Sequence, residues 1–180
     1  MKREGFTRKY NRWFRERDDA IQVIEVQSIS MGGSFTVNIG IHRVAAFQLV
    51  GWDPPPPAHT VFVGDRLGSI AFGRDTWWPT LPSSGPLVAD VIERFALPWL
   101  DAHLDPLVCA AELATPGTDA AVLLILGGDT DGAVHVYEAE RALVQDASNE
   151  AERAEREHFL RFTFQALERA GLAERIRAVD

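Results

Sequence analysis

A chain of 180 residues, 46% hydrophobic and 24% charged, has the composition of one globular domain and carries too many apolar groups for a disordered segment. Its formal charge of −8 weighs against nucleic acid as a partner, because that affinity comes from neutralising phosphates. The single Cys109 excludes an intrachain disulfide, the longest apolar run, Ala120 to Leu126, is too short to span a bilayer, and the basic start Met1-Lys2-Arg3 lacks the apolar stretch of a signal peptide, so a cytoplasmic chain that does not bind membranes is expected.

Residues 11–17 alternate as a short strand, and Asp18-Asp19 makes a turn. Ala20 to Ser30 is rich in Ile and Val and reads as a second strand, followed by turn chemistry at Met31-Gly32-Gly33-Ser34. In the third strand, Phe35 to Arg43, Phe35, Val37, Ile39 and Ile41 share one face, and Thr36, Asn38, Gly40 and His42 the other. Pro54 to Pro57 cannot continue a sheet and marks an extended surface loop. A strand is expected at Thr60–Val63, a turn at Gly64–Gly68, another strand at Ser69–Phe72, and a packed loop at Trp77-Trp78-Pro79.

Helices follow. Ser83-Ser84-Gly85-Pro86 starts one with a serine cap, and Pro98 should interrupt it. A second covers Leu107–Ala114, and Thr115-Pro116-Gly117 breaks the chain. Asp119–Leu126 is a short buried helix or a strand, and Asp131–Gln145 is helical. Asn149 caps the last helix, with Glu152 placed as in a capping box and Phe159, Leu160, Phe162, Phe164 and Leu167 burying its second half. The expected fold is α+β, a single domain over 1–180. Residues 1–82 are mainly strands and loops, giving an antiparallel sheet that packs against helices from residues 83–180.

With Met31–Ser34 as the loop, Ser30 faces Phe35, Val26 faces Ile39 and Ile24 faces Ile41 on an apolar side. The other side then places Glu25 beside Gly40, Gln27 beside Asn38, and Val23 beside His42. A one-residue slip would pair apolar with polar positions, which the pattern resists. The polar side is either the wet face of a half-buried sheet or a binding surface, with Gly40 leaving room for close approach and Glu25, Gln27, Asn38 and His42 offering directed hydrogen bonds. Arg66 joins this set as a base suited to carboxylates or phosphates, with structural pairing to Glu25 or Asp65 as the competing role.

The run Phe14-Arg15, then Ile21 to Gln27, then Ser34 to Ile41, with Gly5-Phe6 ahead and Arg66-Leu67-Gly68 and Trp77-Trp78 after, resembles the core of the family catalogued as domain of unknown function 4304. The resemblance covers about residues 5–80 and extends loosely into the helical tail. It implies a bacterial source, an α+β fold and no established activity. Members of the family begin with a helix leading into the Gly-Phe step, so the resemblance implies that this helix is missing here or that the start lies upstream.

Catalytic and metal signatures are weak. His103 and Cys109 make a nucleophile pair only if an Ala-Leu-Val setting activates the thiol, and Asp101-Ala102-His103-Leu104-Asp105 lacks a second histidine at ligand spacing. Asp129-Thr130-Asp131-Gly132 opens like a calcium loop, but Ala133, Val134 and Val136 fit a helix that Asp129 caps. No lysine follows Gly127-Gly128, so this is no phosphate loop. No metal or cofactor is expected.

Charge is uneven. Residues 1–17 carry seven bases against two acids, and residues 101–157 thirteen acids against three bases. The leading expectation is therefore a non-catalytic binding protein, in its concrete form an acidic inhibitor or immunity-type protein that engages a basic protein partner. The alternative is a small-ligand binder or enzyme using the polar face of the Ala20–Arg43 hairpin, with Glu25 or His42 as acid or base and Gln27, Asn38 and Arg66 positioning the ligand. A homodimer pairing exposed strand edges is the structural option.

Overall fold

A computed structural model describes residues 1–29, 32–113 and 117–177. The expected partner of Phe35, Ser30, the first turn residue Met31, and the end of one helix with its breaker, Ala114-Thr115-Pro116, lie outside the described residues. The chain forms two compact units, one of Met1–Arg43 with Pro57–Leu104, the other of Val44–Pro56 with Asp105–Asp180.

The first unit is an antiparallel sheet with helices. Its strands are β1 (Thr7–Lys9), β2 (Arg12–Arg17), β3 (Ala20–Ser28), β4 (Ser34–Arg43), β5 (Val63–Arg66) and β6 (Trp78–Pro79). They run in the order β1-β2-β3-β4-β5, and β6 pairs with the start of β4. The Asp18-Asp19 turn is present, and Asp18 takes a left-handed φ of 47°, which a short polar side chain tolerates.

The two faces of the β3–β4 hairpin are as expected, but the register is shifted by two residues. Ile24 opposes Ile39, Val26 opposes Val37, and Ser28 opposes Phe35. Side chains alternate with a period of two, so a two-residue shift leaves every residue on its own face. The loop geometry decides instead. The connection runs longer than Met31–Ser34, with Gly32 and Gly33 at positive φ and Gly32 N–H donating to the Ile29 carbonyl.

The segment after the hairpin differs from expectation. The strand lies at Val63–Arg66, where a turn was expected, and Ser69–Phe72 belongs to a helix, α2 (Leu67–Phe72), closed by Gly73 in the left-handed region. Runs this short carry too few turns for periodicity to separate strand from helix. Of the tryptophans expected in a packed loop, Trp78 is buried as part of β6, whereas Trp77 is exposed.

One three-part helix covers the sheet: α3 (Ser84–Val91), a π-helical turn (Ile92–Ala96) and α4 (Leu97–Ala102). The break therefore sits one turn ahead of Pro98, which falls in the first turn of α4, where its missing N–H costs little. No side chain caps α3. The Ser84 hydroxyl instead donates back to the Pro79 carbonyl. Val88, Val91, Ala96, Leu97 and Leu100 pack on Ala20, Ile24, Val37, Ile39 and Ile41 to form the core.

The second unit is helical: α1 (Val44–Leu49), α5 (Pro106–Glu112), α6 (Thr118–Leu126), α7 (Thr130–Gln145), α8 (Glu150–Arg169) and α9 (Ala173–Arg177). Asp105, Asp129 and Asn149 each accept a backbone N–H and start α5, α7 and α8. The capping box is altered, because the Glu152 carboxylate turns to the Ser148 N–H and hydroxyl, which hold its pKa below the usual range. Ala133, Val134, Leu167 and Ile176 form its core. The second half of α8 is only partly covered: Ala166 and Leu167 are buried, but Phe159 is exposed.

Candidate functional site

The opposite face of the sheet carries the residues picked out for hydrogen bonding. The register lines up Arg12, Glu25, Asn38 and Arg66 as one row across β2, β3, β4 and β5. Glu25 is taken by Arg12, whose Nε donates to its carboxylate at 2.7 Å. Asn38 donates to Gln27 at 3.1 Å. Arg66 pairs with Asp75 rather than Glu25 or Asp65, and its guanidinium lies 5.2 Å from the centre of the Trp77 ring. His42 is elsewhere, opposite Ile21, buried, with Nδ1 2.8 Å from the Thr60 carbonyl. Glu25, Gln27, Asn38 and Arg66 are thus neighbours, and His42 does not converge with them.

Gly40 does permit a close approach, but its visitor belongs to the chain. Val61 sits over Gly40 and Gly64, and a Cβ on Gly40 would meet Val61 at 2.6 Å. Gly40 opposes Val23 and Gly64, not Glu25.

The helix-covered face has two different ends. Under α4 it holds a buried polar network. Arg15 reaches Gln22, Asp101 and the Glu4 carbonyl, and its guanidinium stacks 4.6 Å from the Phe6 ring centre. Burial lowers the Arg15 pKa, and Asp101 pulls it back up. Gln22 Nε2 donates to the Leu100 carbonyl at 2.8 Å. Arg43, 1% exposed, grips Asp19 at 3.0 Å and donates to the His103 and Leu104 carbonyls. The bonds to Asp101 and to the Leu100, His103 and Leu104 carbonyls tie the sheet to the C-terminal end of the three-part helix and the residues just after it.

Under α3 the same face opens into a cavity of about 450 Å³. Its floor is Trp13, Ile24, Val26 and Phe35 from β2, β3 and β4, and its roof is Val88, Ala89 and Ile92. The exposed residues Ser28, Thr80, Gly85 and Ala89 mark the rim. Met1 also lines it; no side chain in this wall is titratable, and its polar side-chain groups are the Ser28 and Thr80 hydroxyls and the Trp13 indole N–H. Of the floor positions, the alternation marked Ile24, Val26 and Phe35 as the apolar face and gave Trp13 only a place in a short strand, because the same residue types line a filled core and an open pocket.

The other candidates have structural roles. His103 is buried, stacked 3.7 Å from the Trp99 ring centre, and Cys109 is buried within α5. Asp101 binds Arg15, Asp105 caps α5, and Asp129 caps α7 by accepting from Gly132 at 2.9 Å. Among the described residues no three His, Cys, Asp or Glu side chains gather as a metal site, and no helix is long and apolar enough to cross a membrane.

The family described as domain of unknown function (DUF4304) matches residues 1–102, which span the sheet, the three-part helix and the whole cavity wall. No curated protein and no solved structure matches the chain.

Proposed function

We propose that this chain, which belongs to the DUF4304 family, is a non-catalytic binding protein whose binding site is the apolar cavity between the sheet and α3. One observation carries the reading: a cavity of about 450 Å³ whose lining side chains include no acid, base or nucleophilic thiol. That size falls in the range of small-ligand sites, roughly 300–1,000 Å³. General acid–base chemistry needs a titratable group within hydrogen-bond reach of the substrate, and no side chain of this wall supplies one. An apolar ligand gains by leaving water and has few polar groups to satisfy here.

Phenylnaphthylamine, a neutral fluorophore that brightens in apolar surroundings, tests the reading. Saturable one-to-one brightening is expected with the full chain. Ala89 is an exposed rim residue on α3, so Ala89→Trp plugs the mouth without disturbing the core. Loss of brightening in that variant, at unchanged melting temperature, is the expected result. Equal brightening in both proteins rejects the cavity as the site.

A further inference from the structure

Resting on that cavity, we infer that its ligand is a single alkyl chain ending in an anionic group, a medium-chain fatty acid, with the tail inside and the head at Arg8 on β1. Arg8 opposes Trp13 in the β1–β2 register, so both stand on the cavity's face of the sheet. The guanidinium lies 5.2 Å from the centre of the Trp13 ring, and Trp13 is part of the cavity floor. Arg8 donates through Nε to the Tyr10 carbonyl at 2.8 Å, which fixes the base of the guanidinium. The Nη groups of an arginine remain suited to a carboxylate, which they bind through two parallel hydrogen bonds. β1 is an edge strand with all three residues exposed, so a head group reaches Arg8 without crossing the core.

The wall argues for the tail. Trp13, Val26, Phe35, Val88 and Ile92 are apolar, and no carboxylate in the wall repels an anion. Ile29 and Leu81, next in sequence to the rim residues Ser28 and Thr80, expose large apolar side chains. The volume lies toward the small end of ligand sites, roughly 300–1,000 Å³, and suits one chain rather than the two of a phospholipid.

The test is calorimetric titration of the full chain with dodecanoic acid and with dodecanol, which shares the tail but lacks the charge. The acid is expected to bind about fivefold tighter than the alcohol, the scale of one exposed charge pair. Arg8→Gln alters an exposed side chain and should bring the acid to the level of the alcohol while leaving the alcohol unchanged. Equal affinities in the unaltered chain, or an acid affinity unmoved by Arg8→Gln, overturn the head-group assignment while the cavity reading stands. Binding of neither compound overturns both. Vesicles of phosphatidylglycerol are expected not to sediment with the protein. Capture by vesicles without binding of the free acid identifies a membrane surface instead and overturns the inference.

Discussion

One helix covers two unlike stretches of the same sheet face. At the α4 end, three buried polar side chains, Arg15, Gln22 and Arg43, reach backbone carbonyls or Asp101 and hold helix and sheet together. At the α3 end the facing side chains are apolar, and a cavity lies between them. A directed hydrogen bond fixes a distance, whereas apolar contacts tolerate a gap at the cost of lost dispersion. The π-helical turn lies between the two regimes, in the position where such turns often accompany functional sites. The polar groups of this face thus serve the scaffold, and its apolar groups line the cavity.

The sharpest way to break this contrast is Arg43→Met. It leaves the His103 and Leu104 carbonyls without their donor in a buried setting, and a loss of about 3–5 kcal/mol in urea unfolding is expected. A change below 1 kcal/mol would show that the α4 end is not pinned by this network. Next comes a matched pair of truncations. Leu100→Ala, in the filled end, should cost about 3 kcal/mol, and Val88→Ala, beside the cavity, about 1 kcal/mol, because Val88 already lacks part of its packing. Equal costs for the two would mean that the ends are packed alike.

The smallest effect concerns a buried charge with incomplete partnering, in the helical unit. Glu140 on α7 is buried, Thr163 bonds to it, and its Oε2 has no partner among the described residues. Burial raises its pKa above 4.5. The folded state therefore holds the proton more tightly than the unfolded chain. The stabilisation is fully present below pH 4.5 and is lost as pH rises through the raised folded value. Glu140→Gln should flatten that fall, read as melting temperature against pH. An unaltered slope would assign it to other groups.

Much of the fold was legible. Alternation over Ala20–Arg43 sorted the faces correctly, since burying one face forces it, and the caps at Asp129 and Asn149 were readable from side chains that compete for backbone N–H groups. The register was not, because a two-residue shift costs no face. β5 was expected as a turn and α2 as a strand because each is only four to six residues long. The uneven acid count over residues 101–157 reads differently once Asp101, Asp105, Asp129, Glu140 and Glu152 are seen to pair, cap or lie buried. The cavity left no trace in the sequence, since its wall is written in core residues and its existence depends on how far α3 stands from the sheet.

Methyl-resolved NMR during titration with dodecanol tests the central claim most directly. Saturable shifts are expected at Ile24, Val26, Val88 and Ile92, with Val23 and Val61 on the opposite face unmoved. Shifts centred on Val23 and Val61, or no saturable shift at the four cavity residues, would contradict it.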